Sequence, residues 1–398
     1  MSGERYALVA GGGTAGHLQP ALAIAEALVE AGHDRGSIEF VGSTRGQDRA
    51  TLEGRGFPFT LLPGRGIVRS LRPRDVAADI GAVAGLALAA VRGFGVVTRA
   101  RPRVVVSVGG YASLAASMAA VVRGVPLVLV NVDAVAGSAN RLLGRFARAS
   151  AVGWEGSSLP RAVVTGTPVR PEIAAMRRDA GSRQAARRRL GLPTDRLTVA
   201  AFGGSLGADR INRAVFDLSD RWKDRQDRSI YHIVGRREWG RGAGTGPAGT
   251  AGRAGPGSRG SADPDPAGLA LVRVPYRDGM EDVYAAADVM VCRAGAMTVA
   301  ELAVAGVPAI LVPLPGAPGD HQTANARVLE RAGAALILAD GGCDGAALDV
   351  ALDDLASRPG LLESMGRAAR ALGRPDAAAA GARVVEASAA ASADRGAS

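Results

Sequence analysis

Aromatic residues make up only 4% of the chain, and cysteine occurs twice, at Cys292 and Cys343. Two cysteines build neither a disulfide framework nor a metal-ligand set. Histidine is scarce too, and His17, His33, His232 and His321 stand apart without metal spacing. The only Asp-x-Asp, Asp263-Pro264-Asp265, lies in a Gly/Pro-rich segment rather than at a strand end, so neither a metal nor another cofactor is expected. Long hydrophobic runs are missing too. The most apolar region, Ile80–Val97, is interrupted by Arg92 and four glycines, which is too broken for a transmembrane helix. The N-terminus enters a strand at once (Tyr6–Ala10) with no secretory signal, and the expectation is a soluble cytoplasmic protein.

What is abundant is glycine, 55 residues of 398, and positive charge, a net +10 carried almost wholly by arginine. The length suggests two or three domains, and 47% hydrophobic residues suffice for substantial cores. The charge invites nucleic acid, an anionic membrane or a phosphorylated substrate. Nucleic acid fits least, because no aromatics interleave the basic residues and several of these sit in the segment Gly240–Ala267. That segment is low-complexity Gly/Ala/Pro/Ser/Arg and reads as a disordered insertion between two strands.

Short apolar runs alternate with helical patterns from Ala7 to Ile337, which predicts α/β architecture with parallel sheets covered on both faces. The first strand runs into Gly11–His17 and a helix expected over Pro20–Glu30. This turn lacks the GxGxxG spacing, and the second strand is followed by Ser43 rather than an acid, so a dehydrogenase is disfavoured. A second glycine turn, Gly203–Ala208, follows the strand Leu197–Phe202, and its N–H groups suit a pyrophosphate. In Val289–Ala326 a strand meets Gly295, a helix read from Thr298, a strand and the cluster Asp320-His321-Gln322. Glu301 then falls at the end of a first helical turn. It either takes two hydroxyls of a ribose or complements the helix dipole. The arginines from Arg65 to Arg103 around Ile80–Val97 mark either a peripheral membrane contact or a core helix with solvated ends.

On these residues the chain resembles the MurG family, which adds GlcNAc to undecaprenyl-pyrophosphoryl-MurNAc-pentapeptide (lipid I) to give lipid II. The motifs are GGGTAGHLQPALA at Gly11–Ala23, SVGGYAS at Ser107–Ser113, AGSANRLLGRFA at Ala136–Ala147, TGTPVR at Thr165–Arg170, GGSLGADRIN at Gly203–Asn212, RAGAMTVAEL at Arg293–Leu302 and DHQTANA at Asp320–Ala326. The resemblance implies a GT-B fold, two Rossmann-like domains with parallel sheets facing across a cleft. The implied organisation is an acceptor and membrane-side domain over 1–169 and a UDP-GlcNAc-binding domain over 170–365 that carries the insertion 240–267. A helix over 366–385 then returns to the first domain, and a disordered tail covers 386–398. UDP-GlcNAc, lipid I and an anionic membrane surface are the implied partners, at the cytoplasmic face of the cell membrane.

By motif match, Ala296, Met297, Thr298, Val299, Ala300 and Glu301, with Ser205, would hold the nucleotide, Glu301 on its ribose. Gln322, with His321, would read the sugar, and Arg170 would lie near the donor. Thr14, Ala15 and Gly16 would face the donor sugar and acceptor, and His17 is the candidate general base. Asp133 is placed with the donor and is the next candidate for that proton. The chain departs from the family at Val130-Asn131-Val132-Asp133 (usually His-Glu-Gln-Asn), Leu206 (Gln), Ala294 (Ser) and Ala115 (Pro). Two other readings therefore stand beside the first: a paralogous UDP-GlcNAc transferase with another acceptor, and a non-catalytic sugar-nucleotide binder.

Overall fold

The computed structural model describes residues 4–12, 15–44, 48–62, 88, 90–204, 207–240 and 268–396. The chain folds as two compact units, Met1–Arg170 with Arg374–Ser398, and Pro171–Gly373.

The first unit contains β1 (Ala7–Gly11), α1 (Ala15–Glu30), β2 (Ile38–Ser43), α2 (Asp48–Glu53), β3 (Phe59–Leu62) and a helix α3, described at 90–100. It continues with β4 (Val104–Gly109), α4 (Tyr111–Val122), β5 (Leu127–Asn131), α5 (Ser138–Gly144), β6 (Ala149–Val152) and β7 (Ala162–Val164). All seven strands are parallel, in the order β3-β2-β1-β4-β5-β6-β7. Every residue of β1, β2, β4 and β5 is buried, as a sheet covered on both faces requires. The order reverses between β1 and β4. There the connections leave on opposite faces and open a crevice at the carboxyl ends.

Helix α1 starts at Ala15, five residues ahead of the expected Pro20, which lies inside it. Pro20 removes only the bond to the Gly16 carbonyl, near the open end of the helix. Ala21, Leu22, Ile24, Ala25 and Leu28 are all buried and offset that loss.

The second unit runs α6 (Pro171–Ala174), α7 (Ala180–Leu190), β8 (Leu197–Phe202), α8 (Asp209–Arg221), β9 (Arg228–Ile233), α9 (Arg236–Glu238), β10 (Ala270–Val274) and α10 (Met280–Ala286). Then come β11 (Val289–Cys292), α11 (Ala296–Ala305), β12 (Ala309–Leu311), α12 (His321–Arg331), β13 (Ala335–Ile337), α13 (Gly345–Ser357) and α14 (Leu361–Leu372). Its six parallel strands take the order β10-β9-β8-β11-β12-β13, so the reversal falls between β8 and β11. Strands β9 and β10 pair directly; the expected insertion between them lies outside the described residues, Gly240 excepted. Helix α7 begins at Ala180, because Asp179 caps it and accepts the Ser182 N–H at 2.9 Å.

The helix expected over 366–385 is two helices. Gly373 ends α14, and Pro375 has no N–H to continue the ladder. The last helix, α15 (Ala377–Gly396), lies on α1 in the first unit: a Cβ on Gly381 would stand 3.2 Å from Cγ1 of Ile24. His33 Nε2 meets Glu386 Oε1 at 3.0 Å. Where a disordered tail is expected from 386, the helix continues to Gly396, because Ala382, Val385 and Ala389 are buried along one stripe.

Candidate active site

In the first unit the crevice between β1 and β4 holds His17. It is the third residue of α1 and half-buried. The imidazole lies against bare backbone: a Cβ on Gly109 would sit 3.0 Å from its Cδ2 and 3.1 Å from its Nε2. Gly109 and Gly110 take φ of 101° and 84°, a region that other residues enter only with strain. The paired glycines of the Ser107–Ser113 motif therefore make the seat for His17. Ser113 Oγ donates to the Gly110 carbonyl at 2.8 Å and steadies that turn.

Behind Gly12 stands Asp48, a buried carboxylate whose Oδ2 accepts the Ser43 N–H at 2.8 Å. It braces the ends of β1 and β2 together. Sequence reasoning passed over Asp48; an acid opening a short helix after the second strand was the available signal. Ala15 and Gly16 form the first turn of α1, while Thr14 lies outside the described residues. Asp133 is half-buried in the loop after β5, and its carbonyl accepts Asn131 Nδ2 at 2.7 Å. Asn131 Oδ1 in turn accepts from Asn140 at 3.1 Å, so the residue replacing the family's glutamate is tied inward. Arg170, half-buried, closes the first unit.

In the second unit the β8 and β11 turns meet at the corresponding crevice. Gly207 donates its N–H to the Gly204 carbonyl at 3.0 Å, and both have positive φ. A Cβ on Gly207 would meet the Val234 carbonyl at 2.7 Å. Asn212 holds that same carbonyl at 2.9 Å, and its Oδ1 accepts from His232 Nε2 at 2.9 Å. Burial, and then the charge of Arg273, push His232 down to about 3, so this histidine is a neutral brace. Ser205 lies outside the described residues.

Helix α11 begins at Ala296, not Thr298, with Gly295 at its N-cap. Its ladder opens with Val299 N–H on the Gly295 carbonyl at 3.0 Å. The N–H groups of Ala296, Met297 and Thr298 precede that bond, at the open end of the helix, and all three residues are half-exposed. Val299 and Ala300 turn their side chains into the core. The earlier start puts Glu301 in the second turn, beyond the reach of a dipole that fades within the first. Glu301 is only 5% exposed, and its Oε2 accepts the Tyr284 hydroxyl at 2.8 Å. Tyr284 packs edge-on against Phe202 at the end of β8. No local pattern pointed to Tyr284. Burial and then the Glu301 charge hold the Cys292 thiol well above its usual range, which leaves it inert.

Arg293 braces this turn rather than facing outward. It donates to the Val312 carbonyl at 3.0 Å and to Asp340 at 2.6 Å. Asn325, fully buried, donates to the Ala294 carbonyl at 3.2 Å and fixes α12 behind it. Gln322 Oε1 accepts the Leu314 N–H at 3.0 Å, which leaves its amide N–H groups to donate elsewhere. His321 Nδ1 meets the Pro318 carbonyl at 2.8 Å. Among the described residues no group of three His, Cys, Asp or Glu could hold a metal ion.

Two crevices, one with a histidine against glycine backbone and one with open N–H groups and a braced carboxylate, are the chemistry on view. The glycosyltransferase family 28 N-terminal domain matches residues 7–152, and the family 28 C-terminal domain matches 198–380. A UDP-N-acetylglucosamine–N-acetylmuramyl-(pentapeptide) pyrophosphoryl-undecaprenol N-acetylglucosamine transferase of Acidothermus cellulolyticus is 40% identical, over 94% of this chain and 95% of its own. The enzyme of that name from Desulforudis audaxviator is 35% identical, over 93% and 95%. The crystal structure of Acinetobacter baumannii MurG superposes with a TM-score of 0.71 at 26% identity, over 96% of this chain and 99% of that one. Both units are parallel α/β, the fold is GT-B-like, and the chain belongs to the MurG family of glycosyltransferase family 28.

Proposed function

We propose that the chain transfers N-acetylglucosamine from UDP-GlcNAc to the muramyl 4-hydroxyl of undecaprenyl-pyrophosphoryl-MurNAc-pentapeptide, giving lipid II. The observation that carries this is the match to transferases named for that reaction along more than nine-tenths of the chain, both crevices included. The experiment is a turnover assay with UDP-GlcNAc and a lipid I analogue, read as lipid II formed. Donor binding without turnover would overturn this reading.

The chemistry is displacement with inversion at the anomeric carbon. The acceptor oxygen forms the new bond, its proton goes to a base, and the bond to UDP breaks with negative charge left on the pyrophosphate. In this reading His17 takes the proton. Its support is the seat on Gly109 and Gly110, which holds the ring in one place. Asp133 is the second candidate. The N–H groups at the start of α11 and the Gly203–Ala208 turn, Ser205 included, meet the leaving charge. By motif match, Arg170 adds a cation near the donor in this reading. Glu301, oriented by Tyr284, takes the ribose hydroxyls, and the Gln322 amide donates to the sugar. By motif match, Thr14, Ala15 and Gly16 face the donor sugar and the acceptor in this reading.

An anionic membrane surface is the further partner in this reading. Leu88, Val91 and Phe94 on α3, Met118 and Val122 on α4, and Leu142 and Phe146 at α5 are exposed. Exposed arginines, Arg92, Arg123, Arg141 and Arg145, stand beside them. Apolar side chains flanked by cations suit the headgroup boundary of an anionic bilayer, which favours a peripheral contact over solvated helix ends. Arg65–Arg74 lie outside the described residues, and among the described residues no helix is long and apolar enough to cross a membrane.

A further inference from the structure

The second unit has a cavity of about 830 Å³ at the amino ends of its strands, bounded by α7, the end of α13 and α14. Asp288, just ahead of β11, and Gly306, just past α11, are in its wall, so it opens on the opposite rim of the sheet from the α11 N-terminus. Six arginines line it, Arg177, Arg178, Arg183, Arg358, Arg367 and Arg370, against three carboxylates. The lining thus carries an excess of three positive charges.

The carboxylates present do not reach the most buried cation. Asp288 is engaged by Arg183 and, at 2.7 Å, by Arg187. Asp179 pairs with Arg177 at 3.2 Å and caps α7. Arg178 donates to the carbonyls of Gly306, at 3.1 Å, and Ala287, and its Nε has no partner. Burial, and then the neighbouring charge of Arg183, lower Arg178 to about 10. Arg370 likewise meets a carbonyl, that of Ala305, at 2.9 Å. Carbonyls at a helix C-terminus favour a cation, but they do not neutralise it. Asp288 acts on Arg178 only through space and is already shared by Arg183 and Arg187; buried cations that outnumber their carboxylates are costly, and this cluster is short of anions.

We propose that the cavity is a binding site for a small polyanion with two or more phosphate groups, distinct from the donor site. Guanidinium forks match phosphate oxygens in pairs, and the charge excess calls for more than one phosphate. The volume suits a ligand of nucleotide size. On α14, Arg367 and Arg370 stand one turn apart, and Arg367 is exposed to an incoming ligand. Gly366 lets α14 lie close against the end of α11, since a Cβ there would come 2.9 Å from the Gly306 carbonyl.

The test is calorimetric titration of the full-length protein with inorganic tripolyphosphate, and separately with orthophosphate and UDP. The expected result is saturable one-to-one binding of tripolyphosphate in this cavity, weakened by salt and tighter than orthophosphate. Arg367→Ser should weaken it roughly ten- to a hundredfold while UDP affinity stays unchanged. Glu363→Gln removes a carboxylate from the lining and should tighten it. Both residues are exposed on α14, so melting temperatures should match the parent. No saturable binding overturns the site. So does tripolyphosphate binding that UDP displaces and that both variants leave alone, or equal affinity for the two phosphates.

Discussion

The two units repeat one strand order and use it for different work. In each, the order reverses beside the first strand of the unit, at β1/β4 and at β8/β11. The first crevice presents a titratable ring, His17, seated on glycine backbone with Asp48 bracing the turn from behind. The second presents fixed dipoles, the N–H groups at the start of α11, with its side chains turned to support. The outer surfaces differ as well: apolar side chains and arginines on α3, α4 and α5 against arginine–carboxylate pairs around α7 and α10. A shared scaffold decides where ligands bind, and the turns decide what is done to them.

The sharpest way to break this contrast is to remove the titratable group. His17→Ala should lower kcat for the lipid acceptor by about a hundred- to ten-thousandfold while UDP-GlcNAc affinity holds. A raised KM with unchanged kcat would make His17 a positioning residue instead, and would turn attention to Asp133. Next in size is Glu301→Ala. Loss of a charge-assisted ribose contact should weaken donor binding roughly ten- to a hundredfold by calorimetry. Unchanged affinity would leave Glu301 a buried partner of Tyr284 alone.

On the surface side, Val91→Ser with Phe94→Ser should cut binding to anionic vesicles by about tenfold: side chains that seat only partly in the interface contribute together about 1.4 kcal/mol, a fraction of the roughly 1.5–3 kcal/mol for each fully buried one. Indifference to both the substitutions and lipid charge would remove the membrane from the first unit's role. Tyr284→Phe deletes one hydrogen bond to Glu301. At about 0.5–1.5 kcal/mol, donor affinity should fall some two- to tenfold with acceptor KM unmoved. An equal loss for both substrates would mean a general loosening of the second unit.

An effect on stability rather than on turnover concerns the neutral brace. His232 is held at about 3 in the folded protein against an ordinary 6.5. The unfolded chain therefore takes up the proton first, and stability falls as pH drops from 6.5 toward 3, by at most about 1.4 kcal/mol per pH unit. His232→Gln, which can still donate to Asn212, should flatten that acid limb in a melting series. Parallel limbs would rule the histidine out as its source.

Much of this architecture was legible without coordinates. Strands buried on both faces must be apolar throughout, so the runs at Ala7–Gly11, Val104–Gly109 and Leu197–Phe202 declare a parallel sheet by composition. Glycine turns after such strands announce backbone that comes close to a ligand, and the order of the motifs identified the family. Local signals misled where a longer-range term outweighed them. Pro20 marks a helix start, yet the buried face of α1 carries the helix past it. Gly and Pro at 373–375 broke a stretch that the resemblance implied as one helix, while a buried stripe kept α15 helical past 385.

Strand order itself lies beyond any window of sequence. It brings Gly109 onto His17, Asp48 behind Gly12, Tyr284 onto Glu301 and Asn325 onto Ala294. Each pair joins segments that follow different strands, so the contact exists only after the sheet has formed. Residue types and spacing thus determined that this chain has two parallel α/β units with glycine turns at their rims. Which side chains meet at those rims, and which cations are left without an anion at the far end of the second unit, was decided by tertiary packing, because burial and pairing act between residues that the chain itself keeps far apart.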